Sequence, residues 1–82
     1  MNQLVLHPNP VRNTLSISGI TSDIQVEVYD LLGRLQVRKE MGGRDNTIDF
    51  SQFASGVYMV RAIDLSNPGE FMKTYRVVNK KF

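Results

Sequence analysis

Between Ile24 and Tyr29 the chain alternates without a break, placing Ile24, Val26 and Val28 on one parity and Gln25, Glu27 and Tyr29 on the other. Successive side chains of a strand point to opposite faces, so an extended segment gathers the three aliphatics on one side, which a helix would not do. The segment reads as a strand with one buried and one wet face. Nowhere do apolar residues recur at spacings of three and four over a window of about 11 residues, and Gly, Pro, Asn, Asp and Ser interrupt each candidate helix. The expectation is an all-β chain.

The same reading extends in both directions. Leu4, Val5, Leu6 and His7 make a first run, stopped by Pro8-Asn9-Pro10, whose prolines fix φ, withhold backbone donors and close a sheet edge. Thr14-Leu15-Ser16-Ile17-Ser18 alternates and ends at Gly19. Asp30-Leu31-Leu32-Gly33 reads as a turn, because Asp bonds its own backbone and Gly accepts positive φ. The chain then returns over residues 34–39, with Leu35 and Val37 inward and Arg34, Gln36 and Arg38 in water. Gly42-Gly43 makes residues 41–45 a flexible connection. Ile48 centres a short strand over residues 46–50, and residues 51–56 form either one helical turn or a loop between sheets. Residues 57–63 are apolar on both parities except at Arg61, as a central strand should be. Asp64 and Ser66-Asn67-Pro68-Gly69 supply a turn, and residues 71–78 the last strand. Its parity is ambiguous: Phe71, Tyr75 and Val77 share one face, Met72 and Val78 the other. Seven short strands punctuated by turns predict two antiparallel sheets packed about 10 Å apart.

Size and charge narrow the function. A chain of 82 residues has room for one core, so residues 1–82 are read as a single domain. Burying only roughly 60% of its unfolded surface, such a domain has little stability to spare for a deep active site. No cysteine is present, which removes disulfides, thiolate metal sites and a Cys nucleophile. No apolar run of about 18 residues spans a membrane. Met1-Asn2-Gln3-Leu4 lacks the basic and apolar regions of a signal peptide, so if the domain acts outside the cytoplasm its export signal is expected on sequence beyond this chain. The net charge of +2 is too small to indicate nucleic acid. Its distribution is uneven: Lys73, Arg76, Lys80 and Lys81 follow Phe71 with no acid among them. Such cations guard an edge strand against aggregation, present this end to a protein partner, or meet nucleic-acid or lipid phosphates.

No catalytic constellation stands out in the sequence. His7 is the single histidine and reads as a surface or core-edge side chain, and no Gly-x-Ser-x-Gly elbow occurs. Asp23, Asp30, Asp45, Asp49 and Asp64 lie at turns without calcium-loop spacing, so capping accounts for them without a metal. Gly42-Gly43 and residues 30–33 lack the Lys-Ser or Lys-Thr ending of a phosphate loop. Tyr29, Tyr58, Tyr75, Phe50, Phe53 and Phe71 suit a sandwich core better than a stacking platform. Neither an enzyme nor a cofactor is expected.

Taken in order, His7-Pro8-Asn9-Pro10, Leu15-Ser16-Ile17, Val26-Glu27-Val28-Tyr29-Asp30-Leu31-Leu32-Gly33-Arg34, Ile48-Asp49-Phe50-Ser51, Ala54-Ser55-Gly56-Val57-Tyr58-Met59-Val60-Arg61 and Lys73-Thr74-Tyr75-Arg76-Val77-Val78 resemble the C-terminal sorting domain of proteins exported by the type IX (Por) secretion system of Bacteroidetes. The resemblance runs from about Leu4 to Lys80. It implies an Ig-like β-sandwich of about seven strands, cut from the end of a longer exported protein. Such a domain carries an N-terminal cargo, already in the periplasm, through an outer-membrane translocon to the cell surface or medium. A sortase-like surface peptidase commonly removes it and attaches the cargo to anionic lipopolysaccharide. The family's structural motif falls on Pro8, Asn9, Pro10, Asp30, Gly33, Gly56, Val57 and Tyr58. Candidate recognition residues are Lys73, Arg76, Val77, Val78, Lys80 and Lys81. Open sheet edges leave room for a dimer. The alternative is an accessory β-sandwich that binds carbohydrate or protein beside a catalytic domain, and an exposed aromatic face would favour it.

Overall fold

The structure of the protein, a computed structural model, describes residues 4–43, 45–67 and 72–81. It contains seven strands: β1 (Val5–His7), β2 (Thr14–Ser18), β3 (Ile24–Tyr29), β4 (Leu35–Met41), β5 (Thr47–Asp49), β6 (Gly56–Asp64) and β7 (Met72–Asn79). The expectations for Arg44, Pro68, Gly69 and Phe71 lie outside the described residues.

Two antiparallel sheets form, ordered β1-β2-β5 and β4-β3-β6-β7. This is the immunoglobulin arrangement with the fourth strand carried by the second sheet. The short β3–β4 turn explains that choice, since strands joined by a tight hairpin pair with each other. β6 lies between β3 and β7, the central position its sequence implies. Leu15, Ile17 and Ile48 from one sheet meet Ile24, Val26, Val28, Val60, Ala62 and Val77 from the other in a shared core, with Val11 and Phe50 fully buried beside them. At about 25 cal/mol per Å² of apolar area removed from water, this interior is the main stabilising term. Lys39 of β4 closes one side of the sandwich, its Nζ donating to the Thr47 carbonyl at 2.7 Å and to Asp45 at 3.0 Å.

Three expectations change. Leu35, expected inside, is 43% exposed. The β3–β4 register pairs Val28 with Val37 but Tyr29 with Leu35, so a bulge beside Gln36 turns Leu35 onto the outer face shared with Tyr29. Met41, placed in the flexible connection, ends β4 and is buried opposite Ile24. Glu27, expected in water, is 4% exposed on the outer face of the four-stranded sheet. Residues 51–56 are a loop with one turn, in which the Phe53 N–H donates to the Phe50 carbonyl at 3.0 Å. The last strand also resolves: Tyr75 and Val77 face the core side, whereas Met72 and Val78 pair with Ile63 and Val57 on the outer side.

Candidate functional site

The candidate site is built around β7, the outermost strand of its sheet. Lys73 and Arg76 are exposed along it and Lys80 just beyond its end, and Lys73 lies over the Tyr75 ring with its Nζ 5.5 Å from the centroid. The other three candidate recognition residues are placed differently. Val77 is fully buried and Val78 half-buried, so apolar packing occupies both. Lys81 turns back onto the body, its Nζ donating to the carbonyls of Phe50 at 2.8 Å, Ser51 at 3.1 Å and Arg12 at 3.4 Å. Its ammonium is thus used in holding the chain end to two loops.

Pro8-Asn9-Pro10 closes an edge, as its prolines imply, but the edge belongs to β7. Both X-Pro bonds of the motif are cis. Asn9 Oδ1 accepts from the Val78 N–H at 3.0 Å and Asn9 Nδ2 donates to the Arg76 carbonyl at 3.3 Å. One side-chain amide therefore supplies the donor and acceptor of a neighbouring strand. Val11 continues the ladder with its backbone: its N–H donates to the Val78 carbonyl and its carbonyl accepts from the Lys80 N–H, each at 2.8 Å. Val11 pairs with Asn79 in parallel.

The remaining motif residues shape the frame. Asp30 Oδ1 accepts from the Leu32 and Arg34 N–H groups at 2.9 Å, and Oδ2 from Arg34 Nε at 2.7 Å. The Arg34 backbone bond is the largest influence on this carboxyl, burial opposes it, and the Arg34 side chain and the Leu32 amide add to it, so the group is held below its ordinary range. Gly33 sits at φ +81°, a conformation that side chains with a Cβ rarely adopt. Leu31 and Leu32, between them, are 68% and 78% exposed. Gly56 and Val57 open β6, and Tyr58 sends its hydroxyl back to the Ala54 carbonyl at 2.6 Å. That bond is the tyrosine corner of immunoglobulin-like sandwiches. Phe50, Phe53 and Tyr58 stack their rings against one another with centroids 4.9 to 5.7 Å apart, so these aromatics serve packing and offer no flat platform.

Asp30, Asp45, Asp49 and Asp64 each accept from a backbone N–H two residues ahead, at Leu32, Thr47, Ser51 and Ser66. This is the turn-capping role assigned to them. Among the described residues no group of His, Cys, Asp and Glu is arranged to hold a metal ion. His7 is exposed, with Nε2 3.2 Å from Ser18 Oγ.

Two residues escaped the sequence reading. Glu27 accepts from Tyr29 Oη at 3.0 Å and from Gln25 Nε2 and Arg38 Nε at 3.1 Å, with Arg61 Nε 3.5 Å away. Burial raises its pKa, but the Tyr29 and Arg38 hydrogen bonds and the charges of Arg61 and Arg38 outweigh that effect, leaving it lowered. The signal available was two arginines on strands flanking the acid, which needs the pairing register to be read. Asn79, 1% exposed, donates to the Phe53 and Ala54 carbonyls at 3.2 and 3.1 Å. An Asn next to a run of lysines reads as solvent-facing unless the loop it meets is known.

Comparisons with known proteins follow the same outline. The model of the family described as "Secretion system C-terminal sorting domain" matches residues 5–75. A solved structure of PorZ, described as an essential bacterial surface component of the type-IX secretion system of Porphyromonas gingivalis, superposes with a TM-score of 0.74 at 23% identity. The superposition covers 96% of this chain and 12% of that one, so the likeness is one of fold over a small part of the longer protein. No curated protein matches.

Proposed function

The chain belongs to the secretion system C-terminal sorting domain family, and from that premise we propose that its terminal strand is the element read during export of a cargo protein. The domain is non-catalytic, and its role is that of a secretion signal on a route from periplasm to cell surface or medium. It works with the type IX secretion machinery and with the cargo it accompanies. The family match over residues 5–75 supports the sorting role, and the terminal-strand reading rests on the exposed Lys73, Arg76 and Lys80 on and just beyond the edge strand β7. In this reading residues 1–82 are the single sorting domain of a longer exported protein, with cargo on the N-terminal side. The outer-membrane translocon recognises it, and a sortase-like surface peptidase then removes it. Exposed Lys73, Arg76 and Lys80 supply the charge that a receptor meets, while Pro8, Asn9, Pro10, Asp30, Gly33, Gly56, Val57 and Tyr58 hold the frame. Edge-to-edge pairing of two copies is the self-association this architecture allows.

Export of a reporter cargo fused to residues 4–82 tests it, with surface appearance and processing as readouts. A second fusion lacks residues 76–82, and a third carries Lys73→Glu, Arg76→Glu and Lys80→Glu, which leaves the buried Val77 and Asn79 in place. Strong loss of export in both altered fusions is expected. Normal export from the charge-reversed, folded fusion refutes the assignment to the terminal cations, and normal export from the truncated one refutes the terminal strand altogether.

A further inference from the structure

The edge of β7 is closed over only half its length. Arg76, Val78 and Lys80 direct backbone groups away from β6, where Asn9 and Val11 meet the Arg76 carbonyl, both groups of Val78 and the Lys80 N–H. Backbone groups alternate in direction along an antiparallel strand, so Met72 and Thr74 point theirs the same way. Among the described residues none bonds the outward groups of Thr74 or the Arg76 N–H. The open stretch is flanked by two exposed cations on opposite faces of the sheet, for Lys73 shares the parity of Tyr75 and Val77, and Arg76 that of Thr74 and Val78. No acidic side chain lies on β7 itself.

We propose that the open half of β7, from Met72 to Arg76, is a docking edge for an extended acidic segment of a partner protein, which adds as a further strand and stops where Asn9 occupies the edge. This rests on the reading of the terminal strand as the recognised element, and assigns it a part and a chemistry. Main-chain bonds supply affinity in such strand addition, and side chains alternating across the new strand supply selectivity. A partner carboxylate facing Lys73 and another facing Arg76 fall three residues apart, one on each face, because the cations are themselves three apart in sequence. The Asn9 clamp fixes the register by blocking any strand that slides toward Lys80. Two copies of this basic edge repel each other at the same positions, which disfavours a second copy as the occupant.

The test is a titration of the isotope-labelled 82-residue chain with a short peptide of Val and Thr carrying two glutamates three residues apart. The expected result is shifted, exchange-protected amides at Thr74 and Arg76 with the Val78 amide unmoved. Replacing the glutamates by glutamines, or moving them to a spacing of two, weakens binding by about tenfold, consistent with electrostatic complementarity. Thr74→Pro removes an outward N–H and leaves pairing with β6 intact, a placement that edge strands tolerate, and it abolishes binding. Should Thr74→Pro unfold, the pair Lys73→Glu and Arg76→Glu takes its place and must transfer the preference to a peptide with lysines at the same spacing. The edge site is overturned by binding that Thr74→Pro leaves unchanged, by equal affinity for the glutamine peptide, by a response at Val78 in place of Thr74, by self-association through this edge, or by no binding. Its failure is separable from that of the terminal-strand reading: cation-dependent export without peptide binding overturns the edge site alone. Peptide binding with export indifferent to residues 76–82 overturns only the reading of the terminal strand as the recognised element.

Discussion

Ala54 shows how much of the fold rests on single side-chain atoms. Its carbonyl accepts from Tyr58 Oη at 2.6 Å and Asn79 Nδ2 at 3.1 Å, joining the start of β6 and the end of β7 to one loop. Tyr58→Phe removes one of two donors and keeps the ring against Phe50 and Phe53, so it should cost about 1 kcal/mol, the net worth of an ordinary hydrogen bond. Asn79→Ala also strips the Phe53 carbonyl of its side-chain donor in a buried setting and should cost about 2–3 kcal/mol. Asn79→Asp places a carboxylate against both carbonyls and should be worse still. Urea midpoints falling in the order wild type, Tyr58→Phe, Asn79→Ala, Asn79→Asp are expected, and Asn79→Ala as stable as Tyr58→Phe would refute the account. In the sequence, Gly56-Val57-Tyr58 is visible as a motif. The partner of the Tyr58 hydroxyl lies four residues upstream in an irregular loop, where strand periodicity carries no information.

At the level of elements, alternation legibly sorts most residues into core and surface, because β2 and β3 each turn one face to the interior and the other to solvent or neighbouring side chains. It fails where the backbone breaks step. The bulge beside Gln36 reverses Leu35, and the outer face of β3 is covered by the arginines of β4 and β6, which bury Glu27. The role of Pro8-Asn9-Pro10 was half legible: proline announces a closed edge, yet the strand so closed begins 62 residues later, and nothing local to Asn9 reveals it. The consequence can be measured. In Asn9→Ala the Val78 N–H loses its acceptor while Val11 still holds the Val78 carbonyl and the Lys80 N–H, so amide exchange should accelerate at Val78 well ahead of Lys80. Global stability should fall by about 1 kcal/mol. Uniform acceleration of both amides would mean that the strap acts as one unit and Asn9 has no separate part.

For the molecule as a whole, the two sheets share one apolar interior, while the charged groups tie turns and strands from outside it. This arrangement dictates how stability depends on pH. The carboxyls of Glu27, Asp30, Asp45, Asp49 and Asp64 are all lowered in the folded chain. A lowered carboxyl means that the unfolded chain binds more protons. The stabilisation is therefore complete above the unfolded value of about 4 and is lost as pH falls through the folded values. At the other end, Tyr58 and Tyr75 are raised by burial, and Tyr29 by its bond to Glu27 and then by burial. Their unfolded forms release protons first, so stability declines again above about pH 10. Thermal midpoints should form a plateau across neutral pH with a fall on each side. Asp49→Asn separates this linkage from the rise in net charge that acid brings to any protein. The amide oxygen still accepts from the Ser51 N–H but no longer titrates, so the variant should be slightly less stable at neutral pH and lose less stability on acidification. An acid limb identical to that of the wild type would assign the fall to charge repulsion across the surface and remove the turn carboxyl at Asp49 from the explanation.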